Sequence, residues 1–262
     1  MGSLHITNRG EKVITDWREW SRPKRSYQWK AGRSAMELAR AWFTASASVV
    51  PPEVTAILET SLLTKGTILL RGQPEYVTPL PEPGEGRNHD LWLTGFVADG
   101  SVTVCVEAKA DEPFGEPIGA YVEKVLAKTD RLGQRTRLPQ RADTLLKMIF
   151  GREASARSMP WSNLHYQLLT GVAGTAIQTA IDDSCVGIFL VHEFLTEAVD
   201  RERKVPENAA AFAEFIKVLS RSSVIQVTSG KLYGPYDVRQ SDYICRDVKL
   251  LMGKITYDWD KA

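Results

Sequence analysis

The hydrophobic positions of the chain follow two spacings, one typical of helices and the other typical of strands. Apolar residues three and four positions apart predict helices, which we place at residues 34–46, 53–63, 115–132, 141–151, 160–181 and 209–219. Apolar and β-branched runs predict strands, at residues 66–72, on both sides of residues 99–100, at 185–194 and within 224–238. This order predicts one α/β domain over residues 34–262, preceded by an arm of residues 1–33.

A hairpin in the middle of the chain is the strongest local prediction. An Asp-Gly pair at residues 99–100 separates two apolar, β-branched runs, which is the pattern of a two-residue turn. With this pair at the centre of the turn, Trp92 lies opposite Glu107, and Asp90 lies opposite Lys109. Because side chains alternate between the two faces of a strand, these four residues are predicted to project from one face.

The charged residues of this hairpin, Asp90, Glu107 and Lys109, lie at its open end. Two carboxylates a few ångströms apart repel each other unless a cation lies between them, and Mg²⁺ prefers oxygen ligands. A lysine beside such a metal can orient water or stabilise charge on a phosphoryl oxygen. The cluster therefore has the groups that metal-assisted phosphodiester hydrolysis requires. The alternative is a surface ion pair between Asp90 and Lys109, which contributes about 0.2–1 kcal/mol.

Asp90, followed by Glu107-Ala108-Lys109 at the end of a hydrophobic strand, resembles the PD-(D/E)XK nuclease superfamily, the restriction-endonuclease-like fold. The resemblance implies an αβββαβ core over about residues 34–195, with a mixed central sheet flanked by helices. It places a helical insertion at about 115–158 and a C-terminal α/β extension at 196–262. It also implies a nuclease that acts on DNA with Mg²⁺ or Mn²⁺ as its cofactor, in bacterial restriction, repair or phage defence.

Carried over residue by residue, the resemblance makes Asp90 and Glu107 metal ligands, and Lys109 the residue that positions the attacking water. Members often have a further acid on the first helix, which would make Glu37 a metal ligand, and a polar residue on the second core helix, which would make Gln167 catalytic. The sequence departs from the family at His89, because proline often precedes the aspartate there. Alternation along the strand predicts that His89 lies on the opposite face.

Two of these assignments have structural alternatives. Glu37 lies three residues after Ser34, so it also completes a capping box at the start of a helix. Gln167 belongs to a stripe of polar and small residues that either faces the site or lets another element pack closely, and the stripe continues through Thr170, Gly171 and Gly174. Three acids follow the hairpin, and they are Asp111, Glu112 and Glu116. The loop could bring one of them to the metal, but we interpret them as solvated loop and helix-start residues.

The net charge of +1 provides no global attraction to nucleic acid, so phosphate contacts must come from local clusters. The best candidates are four arginines of a basic connection, if it folds back over the hairpin: Arg131, Arg135, Arg137 and Arg141. The aromatic and basic arm could grip a phosphate backbone, although we favour its packing onto the domain. A second E-x-K at residues 202–204 is predicted to lie in a charged loop without a preceding strand, so we assign it no site.

The rest of the composition excludes several classes of protein. Three widely spaced cysteines predict buried thiols in a reducing compartment, and four scattered histidines lack the spacing of a zinc site. No segment is long and apolar enough to span a membrane, so we expect a cytoplasmic protein without a membrane partner. The expected partner is nucleic acid, and a homodimer is a further possibility because many such enzymes dimerise to cut both strands. The competing hypothesis is a catalytically inert module that binds nucleic acid or protein and retains the nuclease-like fold.

Overall fold

The computed structural model of the chain describes residues 3–45, 47–197 and 201–259, and for residues 201–203 it describes the backbone alone. Its strands are β1 (His5–Ile6), β2 (Ile68–Thr78), β3 (Arg87–Val97), β4 (Gly100–Lys109), β5 (Val186–Leu195), β6 (Lys231–Val238) and β7 (Val248–Asp258). Its α-helices are α1 (Ser34–Ala41), α2 (Pro52–Leu58), α3 (Ile118–Arg131), α4 (Leu138–Phe150), α5 (Tyr166–Ile181) and α6 (Arg201–Ser220). Short 3-10 helices lie at Trp17–Glu19, Ser26–Gln28 and Trp161–Asn163.

The strands of the described residues form one mixed seven-stranded sheet in the order β1-β2-β3-β4-β5-β7-β6. β2, β3 and β4 are an antiparallel meander, whereas β4, β5 and β7 run parallel to one another. β4 and β5 are buried along nearly their whole length, which explains their almost continuous apolar sequences. The predicted α/β class is confirmed as a mixed sheet flanked by helices.

Each face of the sheet has its own hydrophobic core. On one face, α3, α4, α5 and α6 pack around side chains such as Leu168, Phe189 and Phe212. On the other face, α1 and α2 pack against alternate residues of the central strands, among them Val104 and Ile188. Because burying one such side chain contributes about 1.5–3 kcal/mol, both layers hold the central strands in place.

The N-terminal arm packs onto the second of these cores, which is the interpretation we favoured. Trp20 is buried in that core, and its ring meets the ring of Phe43 edge-on with a centroid separation of 6.2 Å. The guanidinium of Arg40 lies 5.1 Å from the centroid of the Trp17 ring. The short strand β1 pairs with β2 and continues the sheet.

The structure corrects several predicted boundaries. The strand predicted at residues 66–72 continues to Thr78 as β2, and β7 was not predicted at all. The helix predicted to begin near Pro160 begins at Tyr166, after a 3-10 turn. The second E-x-K, at residues 202–204, lies within α6 and not in a loop.

Two findings concern the surface of the described residues. No helix within them is long and apolar enough to cross a lipid bilayer. Cys105 is buried, but Cys185 and Cys245 are exposed, which corrects the prediction that all three thiols are buried. Cys185 immediately precedes β5, and its thiol donates to the Ser101 carbonyl oxygen at 2.9 Å.

Candidate active site

The strands β3 and β4 separate at one end of the hairpin. Their pairing ends where Leu91 lies opposite Val106. Beyond that point β3 continues to Arg87 beside β2, and β4 continues to Lys109 beside β5. The two diverging strands leave a gap at this end of the sheet, between residues 87–90 of β3 and residues 107–109 of β4, and we call this region the fork. The helix α5 covers one face of the fork through Gln167.

The predicted register of the hairpin was wrong by two residues. Val97 lies opposite Gly100 and Trp92 lies opposite Cys105, so the turn consists of residues 98–99 and Gly100 follows it. Gly100 has a φ of 145°, and a Cβ there would lie 3.1 Å from the Cys185 sulfur, so both backbone and packing require glycine after the turn. An error of two residues moves no side chain of β4 to the other face, but it removes Lys109 from the position opposite Asp90.

Asp90 lies at the point where the two strands part. Its carboxylate Oδ2 accepts a hydrogen bond from the Ala108 backbone N–H at 2.7 Å, which replaces a bond that the strand ladder no longer supplies. Burial raises the pKa of Asp90, while the charges of Lys109 and Arg87 and the Ala108 N–H oppose that rise. The carboxylate is thus held beside two cations at the apex of the fork.

Glu107 is the centre of the cluster, and its side chain is 2% exposed. Its Oε1 accepts from Lys109 Nζ at 2.8 Å and from Gln167 Nε2 at 2.5 Å. Its Oε2 is ion-paired with the guanidinium of Arg87. Both oxygens of this buried carboxylate therefore have protein partners, as burial of a charge requires.

Lys109 and Gln167 form one hydrogen-bonded unit with Glu107. Lys109 Nζ donates to Gln167 Oε1 at 3.1 Å and lies 5.2 Å from the centroid of the Phe114 ring. Burial lowers the pKa of Lys109, whereas the neighbouring carboxylates, foremost that of Glu112, oppose the change. Two residues 58 positions apart in the chain, both of which the resemblance places at the site, are thus in contact.

The stripe of small residues on α5 serves close packing as well as the site. A Cβ on Gly171 would lie 2.5 Å from the Phe189 ring, and a Cβ on Gly174 would lie 2.9 Å from Arg87 Cγ. The same Cβ would be 3.1 Å from Nε2 of His89. Gln167 faces the fork, and the glycines after it allow α5 to approach the sheet.

Glu75 is a member of the cluster that the sequence did not reveal, because the strand that carries it was predicted to end at Gly72. Its carboxylate is 4% exposed and accepts from Asn88 Nδ2 at 2.5 Å and from Arg9 at 3.4 Å. Burial and the nearby charge of Asp90 raise the pKa of Glu75 to about 7. Its backbone has a φ of 55°, a strained conformation for glutamate.

Arg87 also escaped the prediction, because it lies outside the charged positions that the predicted hairpin brings together. It is the first residue of β3, and its side chain is 10% exposed. Desolvation lowers the pKa of Arg87, while the charges of Asp90 and Glu75 oppose that change. Arg87 is thus a buried cation within a group of acids.

Glu37 does not join this cluster through any described contact. Its carboxylate accepts from the Gly32 N–H at 2.6 Å and from Arg40 at 3.3 Å. It completes no capping box either, because Ser34 is the first residue of α1 and Arg33 holds the cap position. The Ser34 hydroxyl instead donates to Glu112, which is partly buried near Lys109 and not a solvated loop acid as predicted.

The predicted arginine cluster divides into two pairs. Arg141 donates to the carbonyl oxygens of Pro81, Glu82 and Glu85 at 2.6–2.9 Å, and Arg137 pairs with the Glu82 carboxylate at 3.4 Å. These two arginines therefore fasten the loop that leads into β3. The other pair is exposed around the end of α3, at Arg131 and Arg135.

The donors at the fork suit a hard cation in kind, but not in their present arrangement. Within the described residues, no three histidine, cysteine, aspartate or glutamate side chains are grouped so that they could hold a metal ion. Both oxygens of Glu107 are held by protein donors, and the positive charges beside them are those of Lys109 and Arg87. With Arg87 and Lys109 both paired to Glu107, this arrangement does not fit a bound divalent cation.

Comparison with models of protein families gives a match over nearly the whole chain. A family model for a domain of unknown function matches residues 11–258, which include every residue of the fork. No curated protein and no solved structure matches the chain.

Proposed function

The chain belongs to the DUF6946 family, and from the geometry of the fork we propose that it is a metal-dependent nuclease that hydrolyses phosphodiester bonds in DNA. The observation that carries the proposal is the contact of Glu107 with Lys109 and Gln167 at the end of β4. Asp90 lies close enough to Lys109 for their charges to interact. Residues from three separate segments thus converge on one polar, buried position, which is typical of active sites.

The order of elements supports a restriction-endonuclease-like core. In chain order, α1, β2, β3, β4, α5 and β5 have the αβββαβ pattern that the resemblance implies. The three strands of the meander are antiparallel, β5 is parallel to β4, and α1 and α5 contribute to the cores on opposite faces. We propose that β1, β6, β7 and the remaining helices are additions to this core.

Lys109 has the central chemical role in this proposal. Its ammonium is held by Glu107 and by Gln167 Oε1, so its direction is fixed before a substrate binds. A preorganised cation in a site that excludes water stabilises negative charge on a phosphoryl oxygen more strongly than it would in bulk water. We assign Gln167 as the positioning residue for Lys109. Mg²⁺ or Mn²⁺ is the cofactor that the resemblance implies, and its binding requires that Arg87 release Glu107.

The second candidate function is a catalytically inert module with a nuclease-like fold, which binds nucleic acid or protein. The ion pair between Arg87 and Glu107 favours it, because this pair closes the carboxylate that a metal would need. Buried charge networks that are internally compensated also occur for purely structural reasons. The two candidates differ in whether the fork supports catalysis.

Cleavage assays separate these candidates. The chain is incubated with single- and double-stranded DNA and RNA in Mg²⁺ or Mn²⁺, beside Lys109→Ala and Lys204→Ala. Lys204 belongs to the second E-x-K and pairs with Glu207 on α6 at 3.2 Å, so its variant is the matched control. We expect Lys109→Ala to lower the cleavage rate by about 100-fold or more, and Lys204→Ala to leave it unchanged. Equal rates for Lys109→Ala and the parent chain would refute the assigned mechanism, and no cleavage by the parent chain would favour the inert module.

A further inference from the structure

Arg87 contacts Glu107 directly and lies within the field of two further acids at the fork. Its guanidinium is ion-paired with Glu107 Oε2, and the charges of Asp90 and Glu75 also act on it. The side chain lies close to Gly174 of α5, where a Cβ would come within 2.9 Å of Arg87 Cγ. The Arg87 side chain therefore packs against α5, and in this position its positive charge lies close to the acids of the fork.

The bonding of Arg87 at this position is incomplete. Arginine has five N–H donors, and it binds carboxylates most strongly when two donors meet two oxygens. Here the described contact is with one oxygen of Glu107, and the buried Nε has no hydrogen-bond partner among the described residues. A buried donor without a partner carries a desolvation cost. The ion pair of Arg87 with Glu107 is therefore less stable than a pair in which every buried donor has a partner.

Glu107 is bound quite differently on its other oxygen. Oε1 accepts from both Lys109 and Gln167, and neither contact involves Arg87. Oε2 is therefore the atom that becomes available if Arg87 moves, while the unit of Glu107, Lys109 and Gln167 stays intact. Asp90 likewise keeps its hydrogen bond to Ala108 without any contribution from Arg87.

We propose that Arg87 is an internal cation that competes with a divalent metal ion for Glu107, so that metal binding requires its displacement. The inference rests on the proposed function in that it concerns the same fork. It adds a residue that sets the metal affinity of the site. It also explains how the negative charges of these acids are compensated by protein groups, although the arrangement does not fit a metal ion.

Calorimetric titration of the full chain with Mn²⁺ measures this competition without any substrate. We expect weak binding by the parent chain and a dissociation constant lower by about tenfold or more for Arg87→Met, which corresponds to about 1.4 kcal/mol. The gain must disappear when Glu107→Gln is added to Arg87→Met, because the competition is for that carboxylate.

Arg9→Met is the matched control. Arg9 pairs with Glu75 at 3.4 Å, so its removal takes the same positive charge away from the acids without touching Glu107. We expect its Mn²⁺ affinity to stay within about threefold of the parent value, since a partly exposed charge at a distance is screened. An equal gain in Mn²⁺ affinity for Arg9→Met would show that removing any nearby positive charge has the same effect, and it would overturn the proposal. Unchanged affinity in Arg87→Met, or no binding by any variant, would also overturn it.

A second variant guards against misfolding of Arg87→Met. Arg87→Gln removes the charge but keeps a hydrogen-bond donor, and we expect it to bind Mn²⁺ more tightly than the parent chain, with thermal unfolding monitored for each protein. An Mn²⁺ affinity for Arg87→Gln equal to the parent value would contradict the proposal even if Arg87→Met did not fold. Tighter Mn²⁺ binding by Arg87→Met without any nuclease activity would sustain the competition and refute the proposed function, so the two failures are distinguishable.

Discussion

Single residues at the fork determine how strongly the burial of its charges opposes the stability of the fold. Glu107 has three donors on its two oxygens, whereas Glu75 relies on Asn88 and on a partly exposed arginine. The difference is visible in Glu75, whose pKa rises to about 7 through burial and the charge of Asp90. Glu75 is thus the carboxylate at the fork whose protonation is tied to the stability of the fold near neutral pH.

The stability of the chain should depend on pH through Glu75. Because its pKa is about 7 in the folded chain and about 4.3 in an unfolded one, the folded state binds this proton more tightly. The contribution of Glu75 to the free energy of unfolding must therefore fall as the pH rises from about 4.3 to about 7. We expect the parent chain to lose free energy of unfolding on the order of 2 kcal/mol between pH 5 and pH 8 through this group, and we expect Glu75→Gln to abolish that loss. Urea unfolding in EDTA at both pH values measures it, and parallel pH profiles for the two proteins would contradict it.

At the scale of whole elements, the sequence predicted the hairpin and its charged end but misplaced the turn. The pattern could not show that Gly100 has a φ of 145° beside Cys185, because that contact comes from β5. β2 was cut short at Gly72 because glycine and proline interrupt strands. Pro74 is tolerated there because β1 pairs only with Arg71 and Gly72, so β2 is an edge strand beyond them.

The strand β7 was missed for a related reason. Its sequence carries Lys254 in the middle of an apolar run, which breaks the pattern of a buried strand. In the structure Lys254 is buried and pairs with Glu193 of β5 at 2.5 Å. A charge whose partner lies 61 residues away cannot be recognised as buried from local pattern alone.

The packing of α5 on the sheet depends on Gly171. We expect Gly171→Ala to destabilise the chain by about 1–3 kcal/mol, because its Cβ would lie 2.5 Å from the ring of Phe189. Phe189→Leu creates space at the same contact, so the double variant should lose less stability than the sum of the two single variants. Chemical denaturation of the four proteins measures this coupling, and strictly additive losses would show that the two residues do not clash.

For the molecule as a whole, a net charge of +1 leaves nucleic-acid binding to local groups. The exposed pair Arg131 and Arg135 can meet a phosphate backbone, whereas Arg141 holds carbonyl oxygens of the chain itself. The arm is not a free basic segment, because Trp20 is buried in a core. We therefore expect the electrostatic attraction to DNA to come from the two exposed arginines at the end of α3.

The salt dependence of DNA binding tests this assignment. Replacing Arg131 and Arg135 together with alanine should weaken binding to all sequences and reduce the slope of log affinity against log salt by about 1.8, since each phosphate contact contributes about 0.9. Arg141→Ala should instead lower the thermal unfolding temperature, because it frees the loop before β3. Fluorescence anisotropy at several salt concentrations provides the slopes, and a slope unchanged in the double variant would exclude these arginines as phosphate contacts.

Anomalous scattering from crystals of the chain grown with Mn²⁺ tests directly whether the fork binds a metal ion. We expect an anomalous peak at the fork, in contact with Asp90 and Glu107, and a guanidinium of Arg87 that no longer touches Glu107. A fork without an anomalous peak, in which Arg87 still holds Glu107 at saturating Mn²⁺, would contradict this expectation.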